Sequence, residues 1–67
     1  MIAITLNHER VPLEDGATLA SLIASLPEAP AALATAVNGD FVPRARRPEV
    51  VLRDGDAVMT FEPITGG

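Results

Sequence analysis

Two glycines, Gly66 and Gly67, end the sequence behind Pro63-Ile64-Thr65, and their chemistry is that of a terminal carboxylate. With no Cβ on either residue, the backbone can enter a slot too narrow for any other side chain. Extended, residues 63–67 would reach about 17 Å beyond a folded body. Such a carboxylate is an anion at neutral pH and a poor electrophile. It becomes an acyl donor only when one oxygen is made a leaving group, as in an acyl phosphate or acyl adenylate. A sulfur nucleophile can then produce a thioester or a thiocarboxylate. The chain contains no cysteine, and Asn38-Gly39-Asp40 lacks phosphate-cradle spacing. Thiol and nucleotide must therefore come from other proteins.

The internal residues offer less. His8 is the single histidine and falls in a polar turn, where a solvated residue is expected rather than a metal ligand or a general base. Asp54 and Asp56 flank Gly55, but without the rest of a calcium-loop pattern they read as a tight turn. Ser21 and Ser25 have no base nearby in sequence. Arg44, Arg46 and Arg47 fall within four residues of one another on what reads as a solvated basic loop. Their alternative use is docking, in which a planar guanidinium grips a partner's carboxylate, and Arg44 is the candidate for that contact.

A chain of 67 residues makes at most one domain, too small for an elaborate enclosed active site. Its 48% apolar content still supports a compact core without disulfides. The formal charge of −4 argues against nucleic acid and for a protein partner with basic character. Lysine is absent, where average composition would supply about four. A lysine-free surface has no side-chain amines to intercept an activated carboxylate, although compositional bias toward Ala and Arg also explains it. No signal-like or membrane-length apolar run is present, which points to the cytoplasm.

The elements that would hold the tail follow from periodicity. Ile2, Ile4 and Leu6 alternate with Ala3 and Thr5, predicting a strand over 1–6 with one buried face. A polar turn over 7–10 leads to a short strand over 11–13, placed at a sheet edge because Pro12 cannot donate to a ladder. Thr18 is an N-cap for a helix whose stripe is Leu19, Leu22, Ile23 and Leu26, ended by Pro27. Ser21 stands where a capping box would carry Glu or Gln, so the helix start reads as weakly fixed. Residues 26–30 read as loop and 31–33 as loop or strand entry. A strand over 34–37, the hairpin signal Asn38-Gly39 and a return at Phe41-Val42 come next. The last strand is expected over 57–62, with Val58 facing one way and Met59 and Phe61 the other. The order implies an α+β domain, a mixed sheet of four to five strands around one main helix, of the β-grasp type. Residues 1–62 form the domain and 63–67 a flexible tail; the first and last strands are expected side by side at the centre.

Ala36-Val37-Asn38, Val42-Pro43-Arg44, Leu52-Arg53-Asp54-Gly55-Asp56 and Gly66-Gly67 together give the chain a resemblance over essentially its whole length. It resembles the ThiS family, the ubiquitin-like sulfur carriers of thiamine biosynthesis. The resemblance implies that the chain is a protein cosubstrate rather than an enzyme, with no bound cofactor or metal of its own. A ubiquitin-activating-like adenylyltransferase would use ATP and magnesium to adenylate the carboxylate of Gly67. A sulfur relay, such as one with a cysteine desulfurase, would convert it to a thiocarboxylate, and thiazole synthase would take the sulfur. Gly66 would give the tail access to both active sites. The family's apolar partner surface would map to Phe41, Met59, Phe61 and Ile64. The loop around Arg47 departs from relatives that carry an aromatic residue there. Three rivals stand beside this reading: a carrier for molybdopterin synthesis, whose relatives are usually longer, a ubiquitin-like modifier of lysines, and an interaction domain with an inert tail.

Overall fold

The protein is described by a computed structural model, whose described residues are 1–26 and 33–61. The expected break at Pro27, the loop through residue 32, Glu62 at the end of the last strand, and the tail lie outside the described residues. The elements run β1 (Ile2–Leu6), β2 (Glu9–Leu13), α1 (Leu19–Ala24), β3 (Ala34–Val37), β4 (Asp40–Val42), a 3-10 helix (Arg44–Glu49) and β5 (Ala57–Phe61). The strands form one mixed sheet in the order β2-β1-β5-β3-β4. The first and last strands are central neighbours and run parallel, with Leu6 opposite Val58. Every other pairing is antiparallel.

Alternation along the strands separates the two faces. Ile4 and Val58 are buried toward α1, where Leu19, Leu22 and Ile23 complete the core with Val42 and Leu52. The helical stripe therefore does what its spacing predicts, although the helix stops at Ala24 and leaves Leu26 just beyond it, partly buried against the core. Pro12 does sit on an edge strand, opposite Ala3.

Three local expectations are corrected. The first turn is tighter than four residues, because β2 already begins at Glu9 and only Asn7 and His8 connect it to β1. Both take positive φ, 50° and 75°, the conformation that lets a two-residue loop follow the twist of the strands. The helix start is firmly capped. Ser21 N–H donates to Thr18 Oγ1 at 3.1 Å, and Thr18 N–H donates to Ser21 Oγ at 3.0 Å. A serine hydroxyl thus completes the reciprocal box that a Glu carboxylate or Gln carboxamide oxygen usually makes. Leu19 N–H also reaches Val50 O at 2.9 Å, and Leu52 N–H reaches Ala17 O at 2.8 Å, so the helix entry is tied to the 50–52 segment.

The third correction concerns the basic loop. Residues 44–49 form a 3-10 helix, and its tight turn directs Arg47 inward until it is only 7% exposed. Arg47 Nε donates to Thr35 Oγ1 at 3.1 Å, and its Nη2 donates to the carbonyl of Leu33. Thr35, fully buried, donates its own hydroxyl to Val42 O at 2.9 Å. A buried cation is tolerated here because these neutral acceptors replace water.

Two consequences can be measured by urea unfolding. Arg47→Ala, which strands the Leu33 carbonyl, is expected to cost about 2 kcal/mol, whereas Arg46→Ala on the exposed side should leave the midpoint unchanged. His8→Gly relieves a side chain held at φ 75° and should stabilise the fold by about 0.5 kcal/mol.

Candidate functional site

β5 carries the chain toward Gly66-Gly67, so its surroundings define the ground from which any tail chemistry is delivered. β1 flanks its start in parallel, with Thr5 opposite Ala57 and Leu6 opposite Val58, and β3 runs along its other edge with Ala34 opposite Phe61 and Ala36 opposite Met59. The strand's period of two buries Val58 and leaves Met59 and Phe61, 38% and 47% exposed, on the face away from α1. Phe41 joins them from β4, because Ala36 lies opposite Phe41 on one side and Met59 on the other. Ala36 is buried even though it belongs to this outer face, so the flanking large side chains cover it. Phe41 itself is 66% exposed. The result is an open apolar surface of three large side chains around a methyl floor.

The structure thus brings Phe41, Met59 and Phe61 onto one face; alternation predicts the shared side of Met59 and Phe61, and only the family resemblance points to Phe41. Ile64, Gly66 and Gly67 lie outside the described residues. The arginine run is divided three ways. Arg44 is exposed at the start of the 3-10 helix and lines a hollow against α1 with Ala20, Ile23 and Ala24. Arg46 lies on the Phe41 side, in a hollow with Val42, Pro43 and Val50, and its Nε pairs with Glu49 at 3.0 Å. Arg47 belongs to the core. Arg44 is therefore set on the helix side of the 3-10 turn, and the arginine beside Phe41 is Arg46.

The acidic turn is structural. Asp54 Oδ1 accepts the N–H of Ala3 at 2.8 Å, and Asp56 Oδ2 accepts the N–H of Arg53 at 2.8 Å. Both carboxylates thus serve backbone donors, and among the described residues no cluster of His, Cys, Asp or Glu could hold a metal ion. His8 is exposed at its turn. Among the described residues, no helix is long and apolar enough to cross a membrane.

Sequence reasoning gave Asn7 and Asn38 no role beyond their turns, and both turn out to grip β5. Asn7 Oδ1 accepts the N–H of Thr60 at 2.9 Å while its Nδ2 donates to Thr60 Oγ1 at 2.7 Å. At the other end Asn38 Oδ1 accepts the N–H of Ala57 at 2.9 Å, and its Nδ2 donates to Asp56 Oδ1 at 3.0 Å. The signal in the sequence was an asparagine at a turn position needing positive φ, which only the fold places against a strand more than fifty residues away for Asn7.

A five-stranded mixed sheet over one main helix, with parallel terminal strands at its centre, is the ubiquitin-like β-grasp architecture. Comparison with known proteins agrees. The structure of the thiamine biosynthesis protein ThiS from Geobacter metallireducens superposes with a TM-score of 0.81 and 27% identity, covering 98% of this chain and all of that one. The sulfur carrier protein ThiS of Escherichia coli K12 is 31% identical over 64 residues, 96% of this chain and 97% of its own length. The ThiS family model matches residues 2–67. The chain belongs to the ThiS family, the sulfur carriers of thiamine biosynthesis.

Replacing Phe41 by Ser should leave the unfolding midpoint within error, since the ring is mostly in water. Ile4→Ala, on the buried face of the same sheet, should cost about 3 kcal/mol in the same measurement.

Proposed function

We propose that the carboxylate of Gly67 is the atom group that carries the sulfur. In the first step a partner adenylyltransferase uses ATP and magnesium. A carboxylate oxygen of Gly67 attacks the α-phosphorus, pyrophosphate leaves, and an acyl adenylate results. In the second step a sulfur nucleophile supplied by a relay such as a cysteine desulfurase attacks the acyl carbon. AMP leaves with the bonding pair of the C–O bond. Where the nucleophile is a relay persulfide, a thiol of the relay then attacks the acyl disulfide, the S–S bond breaks, and the thiocarboxylate leaves as the relay forms a disulfide. Thiazole synthase then withdraws the sulfur for the thiazole ring. The chain contributes no catalytic side chain to these steps; it is the cosubstrate of enzymes working in the cytoplasm.

What supports this reading is that the family match runs through Gly66 and Gly67. The open face of Phe41, Met59 and Phe61 suits it as well. It lies on β4 and β5, so an enzyme seated there holds the strand that leads into the tail. Ile64 is a further contact to that partner, and Arg44, on the helix side of the 3-10 turn, is one only for a partner that reaches round that turn with a carboxylate.

Incubating the protein with its activating enzyme, ATP, magnesium and a sulfide source should raise its intact mass by the replacement of one oxygen with sulfur. Deleting Gly67 should abolish the gain without changing the unfolding midpoint. A deletion variant that still loads sulfur would overturn the assignment. Phe61→Glu should raise the KM for the activating enzyme by about tenfold while leaving the fold intact. If the same substitution only unfolds the domain, Phe61 is not a docking residue.

A further inference from the structure

β1 ends at Leu6, yet β5 continues to Phe61, and by the Leu6–Val58 register its last residues have run past the end of their parallel neighbour. Asn7 fills that gap. Its backbone N–H donates to Val58 O at 2.9 Å, its Oδ1 accepts the N–H of Thr60, and its Nδ2 donates to Thr60 Oγ1. A φ of 50° turns the main chain away toward β2 and frees the carboxamide to take the place of the next peptide group in the ladder. Thr60 is thereby held from the β1 side by a side chain alone, one residue before the last described residue of β5.

Asn38 makes an equivalent grip on Ala57, at the opposite end of the same strand, with φ 51° and a carboxamide likewise bonded to a backbone N–H. The two asparagines thus pin β5 at its entry and at its exit. If each grip only stabilised the sheet, the two would be interchangeable in effect. Their positions differ in one respect, since the exit is where the chain departs for Gly66-Gly67.

We propose that Asn7 is a positioning residue for the carrier tail, fixing the direction in which the chain leaves the sheet and hence where the Gly67 carboxylate is presented. The proposal rests on the carrier reading above. A partner enzyme that docks on the body and reacts at a carboxylate several residues away depends on where the tail is rooted. Loosening the root of the tail spreads the carboxylate over a larger volume without altering the docking face. The effect therefore falls on the chemical step rather than on binding.

Glycine accepts the positive φ of both asparagines without strain, so Asn7→Gly and Asn38→Gly each remove a grip while leaving the turn satisfied. Asn7→Asp keeps the grip, because Thr60 N–H still finds a carboxyl oxygen and the Thr60 hydroxyl can reverse to donate to it. Three readouts are taken on each variant: the unfolding midpoint, amide hydrogen exchange at Thr60 and Ala57, and steady-state adenylation kinetics with the activating enzyme. In Asn7→Gly the Thr60 amide should exchange faster, and kcat should fall about tenfold with KM within about twofold. Asn38→Gly should speed exchange at Ala57 and leave both kinetic constants unchanged, and Asn7→Asp should match the wild type. Equal kinetics for Asn7→Gly and the wild type, or equal losses in both glycine variants, would overturn the proposal. Unchanged exchange at Thr60 in Asn7→Gly would overturn it without any enzyme. A wild-type protein that no activating enzyme adenylates fails at the carrier reading itself, and the tail proposal falls with it.

Discussion

The parallel pairing of β1 with β5 is the contact on which the rest of the molecule depends. It joins the two ends of the described chain at the centre of the sheet, with Thr5 opposite Ala57 and Leu6 opposite Val58. Parallel neighbours cannot be joined by a short hairpin, so everything between them must serve as the connection. The helix lies in that connection and covers one face of the sheet, while β3 and β4 extend the other side of β5. β3 lies opposite β5 from Val58 to Phe61, whereas β1 flanks only Ala57 and Val58, and at Thr60 the Asn7 side chain takes over on that side.

A sheet with a single helix has one face to bury and one to spare. The alternation of β5 divides its side chains between the two, Val58 to the core and Met59 and Phe61 to the open side. An apolar surface is tolerated in solution when it is small, and here three large side chains surround the buried Ala36. β5 contributes Met59 and Phe61 to this surface and is also the strand that precedes the terminal residues.

The arginines show how one residue type meets three ends within four positions. The 3-10 turn sets their directions: Arg44 toward the hollow beside α1, Arg46 toward Glu49, and Arg47 into the core. A guanidinium can be buried there because its donors fan out in a plane and match two fixed acceptors, the Thr35 hydroxyl and the Leu33 carbonyl. Those acceptors lie at the start of β3, whose Ala34 stands opposite Phe61. The buried arginine thus braces the strand that flanks the tail root on the side away from Asn7.

Local physics made much of this legible from the sequence alone. Alternation marked β1 and the two faces of β5, Asn38-Gly39 marked the hairpin, and the Leu19-Leu22-Ile23 spacing marked the buried stripe of α1. The terminal Gly-Gly and the motifs around Asn38, Pro43 and Asp54 carried the family, which the family match then bore out. The roles of Arg47, Ser21 and Asn7 were another matter. A run of arginines reads as solvated until a 3-10 turn aims one inward, and a serine reads as a weak cap until its hydroxyl meets Thr18. An asparagine in a turn discloses nothing about Thr60, fifty-three residues later, because sequence spacing records periodicity within an element but not which elements meet. Only the tertiary fold brings those groups within hydrogen-bond distance, and burial then decides which polar side chains are obliged to find a partner.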